Sequence, residues 1–164
     1  MLSKIKSATL IGIEALEIDI EVDSSKGLPQ ETIVGLPDTI IKESKKRIKS
    51  AIKNSGYKYP LKTYTINLAP AEIKKEGPSF DLPIPVGTLQ ATKQIKPDNE
   101  ALYVGELSLN GAIKPIRGLI SICHMAEQKK INRLFIPYDN WHEVNFFKNL
   151  EIIPVKTLSN IEEY

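Results

Sequence analysis

The sequence predicts a mixed α/β (α+β) domain of two layers, and three observations lead to it. Apolar and acidic residues alternate in Ile18-Asp19-Ile20-Glu21-Val22-Asp23, the period of a half-buried strand. Between residues 38 and 55 apolar positions recur at helical spacing, with lysines on the other side. From residue 102 onward, short apolar strands alternate with helical stretches. The 164 residues suit one domain, with two lobes expected at about 1–95 and 96–164. A chain of this size buries roughly 70% of its unfolded surface, so its core needs neither metal nor disulfide.

Residues 3–11 and 16–23 read as an antiparallel hairpin joined across Gly12 to Ala15. A turn at 24–27 leads to an extended 31–34, and Gly35-Leu36-Pro37-Asp38 then opens a helix, with Pro and Asp at its positive end. On that helix, 38–55, Ile40, Ile41, Ser44, Ile48, Ala51 and Ile52 form the apolar side. Gly56 ends it. Thr63–Leu68 is a β-rich strand, and 69–77 is a loop punctuated by Pro70 and Pro78. A second helix is predicted from Ser79 to about Thr92, with Pro85 deep enough to distort its start. Strands 102–109 and 112–116 flank Asn110-Gly111, the strongest short hairpin signal in the chain. A helix over 118–129, a strand over 133–136, a helix over 138–147, a strand over 151–155 and a helix beginning at 158 complete the prediction.

The net charge of +2 points neither toward nucleic acid nor away from it, so any basic patch must come from local clustering. The single Cys123 excludes an internal disulfide, offers no metal-ligand spacing and fits a reducing cytoplasm. No apolar run approaches the roughly 20 residues that span a bilayer, and no membrane partner is expected. The N-terminus lacks a small-residue cleavage site and reads as mature protein. His124 and His142 have no second ligand at metal spacing, so no metal site is expected. Trp141, Phe146 and Phe147 are expected to pack the helix over 138–147 onto the sheet.

Ser79 follows a Gly-Pro turn at the mouth of the second predicted helix. The ordinary role of such a serine is to cap the helix. The alternative is a nucleophile, which needs an adjacent base; in Ser-Lys dyads that base is a desolvated lysine. Gly77-Pro78-Ser79, the hairpin Gly105-Glu106-Leu107-Ser108-Leu109-Asn110-Gly111 and the stretch Pro115-Ile116-Arg117-Gly118-Leu119 occur in an order and spacing that resemble the proteolytic domain of Lon-type proteases. In that family a lysine follows the last stretch; here the position falls on Ile120, which cannot act as a base. Arg117 stays protonated, and the spacing does not support Lys114 as a substitute.

The whole chain resembles more closely the Lon-like domain that opens ComM-type proteins, the Mg-chelatase-like AAA+ ATPases. The matching stretches include Lys6 to Ile13, Val34-Gly35-Leu36-Pro37-Asp38, Lys42-Glu43-Ser44, Ala51 to Gly56, Asn67 to Ala71 and Lys75 to Pro83, while Pro85 departs from the family's small residue. The resemblance implies mixed sheets with helices packed on one face and an unusual left-handed βαβ crossover, where patterning alone predicts a right-handed one. It also implies a non-catalytic accessory domain of a hexameric DNA motor that drives branch migration in natural transformation. Its partners would be its own AAA+ module, neighbouring subunits and DNA. No cofactor is expected here: the chain contains no G-x-x-x-x-G-K-[ST] loop, so ATP and Mg²⁺ are assigned to an AAA+ module absent from this sequence. An active Ser-Lys peptidase using Ser79 and a small nucleic-acid-binding domain are the rival readings.

Lys42, Lys45, Lys46, Lys49 and Lys53 share the polar side of the first helix. Such a stripe is commonly a solvated surface. It can also track phosphates without reading sequence, which makes these five the candidate DNA contacts. Tyr57 and Tyr59 follow the helix, where core packing competes with stacking on bases.

Overall fold

The computed structural model describes residues 1–164. It opens with the predicted hairpin, β1 (Leu2–Ile11) and β2 (Glu14–Ser25), paired in antiparallel register throughout. β3 (Gln30–Val34), α1 (Thr39–Asn54) and β4 (Thr63–Ala69) follow. Next come a 3₁₀ turn at Pro78–Asp81, α2 (Pro83–Ala91) and three two-residue strands: β5 (Leu102–Tyr103), β6 (Glu106–Leu107) and β7 (Ile113–Lys114). α3 (Leu119–Gln128), β8 (Arg133–Pro137), a short α4 (Trp141–Val144), β9 (Glu151–Val155) and a 3₁₀ turn at Leu158–Glu163 complete the chain.

Seven strands form one sheet in the order β3-β4-β2-β1-β5-β8-β9, and β6 pairs only with β7. β2 alone runs against the others. Alternation along each strand sorts the layers. Ile5, Ile20, Val22, Ile66, Tyr103 and Phe135 join the larger core, which takes in α1 and α2. Ala8, Leu102, Leu134 and Ile136 point the other way, into a second core with α3 and Val144 of α4. The mixed α/β class therefore holds, with one refinement: α1 and α2 share one face, whereas α3 and α4 lie on the other.

This placement has a consequence for chirality. The crossovers β3-α1-β4 and β5-α3-β8 join parallel neighbours and step the same way across the sheet. Their helices lie on opposite faces, so the two are of opposite hand, and one of them is the rare left-handed kind.

Several predicted elements need correction. The second helix does not begin at Ser79: Pro83 and Pro85 lack the N–H groups a longer helix would use, and the chain takes a separate 3₁₀ turn first. Eight of the nine residues of α2 are buried, so it lacks the polar face an ordinary surface helix shows. The strand predicted over 102–109 divides: β5 joins the main sheet and β6 leaves it for β7. The helix predicted over 138–147 is a 3₁₀ turn and a single α-helical turn. Of its aromatics only Phe147 is buried; Trp141 and Phe146 are exposed.

Candidate functional site

The turn carrying Ser79 is fixed from three directions. Asp38 caps α1, its Oδ1 accepting from the Ile41 N–H at 2.8 Å, and its Oδ2 accepts from the Gly77 N–H at 3.0 Å. The Gly105 N–H donates to the Ser79 carbonyl at 3.0 Å, and the Leu82 N–H donates to the Gly105 carbonyl at 3.0 Å. Asp81, 1% exposed, takes Nε and Nη2 of Arg47 at 3.1 Å each and the Leu107 N–H at 3.1 Å. Burial pushes the Asp81 carboxyl above the usual carboxylate range, while Arg47 and the Leu107 N–H work against that rise. One side chain thus ties α1, the Ser79 turn and β6 together.

Around this turn lies a cleft of about 520 Å³, lined by Glu76 to Ser79, by Pro115 to Arg117, and by Ala8 and Leu10 of β1. Asp38, Glu106 and Ile122 also face it. Asn140 holds the Pro115–Arg117 stretch as a strand would: its Oδ1 accepts from the Ile116 N–H at 2.9 Å and its Nδ2 donates to the Ile116 carbonyl at 3.0 Å. Gly118 then turns the chain with φ of 77°, and a Cβ there would overlap the Leu10 side chain, so both conformation and space call for glycine.

Ser79 lines the cleft but caps nothing, contrary to the capping role its position suggested. Gly77 is the N-cap of the 3₁₀ turn and Leu82 that of α2, and neither helix end has a side-chain cap. Ile120 is 43% exposed and does not face the cleft; α3 contributes Ile122 instead. Lys114 is exposed on β7 and also lies outside the lining, which leaves Arg117 as its one basic residue.

A desolvated lysine does exist nearby, and the sequence did not single it out. Lys75 is fully buried, and burial holds its ammonium below the usual lysine range, with Glu72 acting against that. Its Nζ donates to the Gly35 carbonyl at 2.6 Å and to the Pro70 carbonyl, and it does not face the cleft. It is spent on joining two loops. Arg47, Asp81 and Asn140 were missed for a similar reason: no local periodicity or motif marks them.

The five candidate lysines divide. Lys42, Lys46 and Lys53 are exposed. Lys45 is half-buried and donates to the Glu31 carbonyl at 3.0 Å, and Lys49 sits 5.6 Å from the Tyr59 ring centre. Tyr57 and Tyr59 pack against the larger core, and burial raises both phenols. His124 lies 4.0 Å from Glu127 with its ring edge-on to Phe147, and His142 is exposed.

A family model described as subunit ChlI of Mg-chelatase matches residues 20–140. The chain belongs to the ChlI Mg-chelatase family. The uncharacterized protein YifB of Escherichia coli strain K12 is 45% identical over 145 residues, 87% of this chain and 28% of YifB. The competence protein ComM of Haemophilus influenzae is 36% identical over 165 residues, 99% of this chain and 32% of ComM. Lon protease 2 of Bacillus subtilis is similar at a greater distance, 29% identical over 161 residues, 89% of this chain and 29% of the protease. The chain therefore spans about a third or less of each relative's length. These relatives and the mixed sheet make it a Lon-like α/β domain of the ComM, Mg-chelatase-like type. No helix is long and apolar enough to cross a membrane.

Proposed function

We propose that this domain is a non-catalytic accessory part of a ComM-type AAA+ DNA motor. One observation carries the reading: the Ser79 turn is held in place, yet no lysine or histidine faces its cleft. Arg117 stays protonated. Glu76, Glu106 and Asp38 are carboxylates, weak bases toward a hydroxyl, and Asp38 already accepts two N–H bonds. The domain then serves assembly or DNA guidance, ATP and Mg²⁺ being bound by a separate AAA+ module. The similarity to a competence protein supports a role in recombination of incoming DNA, in the cytoplasm and within a ring of subunits. A fluorophosphonate probe tests the site directly. Ser79 should stay unlabelled under conditions that label an active serine peptidase. Labelling that vanishes in Ser79→Ala would reverse the reading.

DNA guidance rests on Lys42, Lys46 and Lys53, which span about 16 Å of helix at 1.5 Å per residue. Binding should be weak, independent of sequence and lost as salt rises. Fluorescence anisotropy with single-stranded and forked DNA across a salt series measures it. Equal affinity for wild type and the Lys42→Glu/Lys46→Glu/Lys53→Glu variant would remove DNA from the proposal.

A further inference from the structure

The net charge of +2 conceals a separation. β2 carries five carboxylates, Glu14, Glu17, Asp19, Glu21 and Asp23, and no basic residue. α1 carries six basic residues and one acidic, Glu43. These two elements face opposite ways. Ile18, Ile20 and Val22 of β2 turn into the core shared with α1, so the odd-numbered carboxylates point out of the other side of the sheet. On that side Ala15 packs with α3, and Glu17 and Asp19 are half-buried in a cleft shared with Met125 and Lys129, while Thr32, Thr65 and Asp23 remain exposed. The outer face of α1 is therefore basic, and the uncovered end of the β3-β4-β2 sheet behind it carries Glu21 and Asp23 as its acidic groups.

Local partners offset part of this charge: in the strand register Lys4 stands across from Glu21 and Lys6 across from Asp19, on the same face. Lys4 answers Asp19 at 3.5 Å, but Glu21 meets only the neutral Asn67 amide at 2.8 Å. Asp23 forms no ion pair, and Lys42, Lys46 and Lys53 are equally free. One spacing, that of Lys42 and Lys46, agrees. Alternate strand residues stand about 6.6 Å apart. Lys42 and Lys46 are about 6 Å apart along their helix, and Lys46 and Lys53 about 10.5 Å. The exposed neighbours on β3 and β4, Thr32 and Thr65, are short, which leaves room for a helix to lie on that side of β2.

We propose that the basic face of α1 on one copy of this chain docks on the bare acidic face of β2 on the next. The proposal rests on the accessory, assembling role given above and names the surface that would serve it. Each face repels its own kind, so a two-fold contact of like with like is disfavoured. The contact joins two different surfaces, and such heterologous contacts run head to tail, closing into a ring when the rotation permits. Exposed ion pairs are individually weak, so the contact directs register and partner choice, and tethering of copies would strengthen it.

Sedimentation velocity of the 164-residue chain over a concentration series, at low and high salt, tests this with two variants. One is Lys42→Glu/Lys46→Glu/Lys53→Glu; the other is Glu21→Lys/Asp23→Lys. All five positions lie off the core, and circular dichroism checks that each variant is folded. Wild type should associate at low salt and dissociate at high salt. Each variant alone should remain monomeric, because the lysine substitutions turn α1 acidic like β2, and the β2 substitutions cancel the charge of its odd-numbered carboxylates. The equimolar mixture should regain association, alternating the two variants. A monomeric wild type at low salt, variants that associate like wild type, or a mixture that stays monomeric would each overturn the proposal. DNA binding through the lysines without any self-association would assign them to nucleic acid instead. A peptidase assay on the same samples separates the two claims: Ser79-dependent turnover defeats the accessory reading, whereas failed mixing without turnover defeats only this interface.

Discussion

The Ser79 turn and the outer face of α1 are built in opposite ways. The turn is held by Asp38, by the Gly105 backbone and by the Arg47–Asp81 pair, and its hydroxyl shares a cleft with carboxylates and Arg117 but with no lysine or histidine. The face of α1 presents three free ammonium groups on a regular helix, with nothing to orient them. One region has order without a lysine or histidine beside its hydroxyl; the other has charge without order. A fixed turn with no lysine or histidine beside its hydroxyl suits a scaffold, while charge on a rigid helix suits contacts that need sign and spacing more than exact placement.

Perturbing the scaffold should have the largest effect. Arg47→Met leaves the buried Asp81 with one backbone partner and should cost about 3 kcal/mol in urea unfolding at neutral pH. The pH dependence sharpens this. Without Arg47 the folded carboxyl rises further above its ordinary value of 3.8, so the folded state favours the protonated form. The loss should be smallest at acidic pH and should grow as pH rises through the folded value. A loss that is the same at pH 4 and pH 8 would show that the carboxylate is not the buried charge that matters.

Lys75→Met removes the donor to the Gly35 and Pro70 carbonyls and should cost about 2 kcal/mol, less than two lost bonds because a buried charge goes too. An unchanged unfolding midpoint would mean that water replaces the ammonium without loss. Behind the cleft, Cys123 of α3 is buried, and burial pushes its thiol up to about 12 from 9.0, with Glu127 and Glu143 adding to the rise. The folded value being raised, its contribution is complete below about pH 9 and is lost between 9 and 12, where the unfolded chain ionises first. Wild type should therefore lose about 1 kcal/mol more than Cys123→Ala between pH 8 and pH 10. Parallel losses in the two proteins would contradict the buried-thiol assignment. Ser79→Ala should be the mildest change, within about 0.5 kcal/mol, because the hydroxyl caps neither helix. A loss above 1 kcal/mol would reveal a structural role for it.

Long periodic elements were legible in the sequence. The hairpin appears as β1 and β2, and the helix predicted over 38–55 appears as Thr39–Asn54, because alternation and the apolar stripe both record a half-buried surface. α2 was blurred because a helix buried on nearly every side has no stripe and two prolines displace its start. β5 to β7 are two residues each, too short for any period to register. Ser79, which lines the cleft, and Ile120, which does not, were singled out through the resemblance to Lon-type proteases, relatives more distant than ComM. Asp81, Lys75 and Asn140 stayed hidden because their partners lie 34, 40 and 24 residues away. Trp141 and Phe146 misled because an aromatic residue implies burial only when an element is long enough to carry it to the core.

Peptide-bond turnover is the most direct measurement of the central claim. Purified wild type and Ser79→Ala should be incubated with an unstructured protein substrate at molar excess and the release of new amino termini followed. The reading of this cleft as a scaffold without a lysine or histidine predicts no release above the buffer rate from either protein. Multiple-turnover release by wild type that disappears in Ser79→Ala would contradict it.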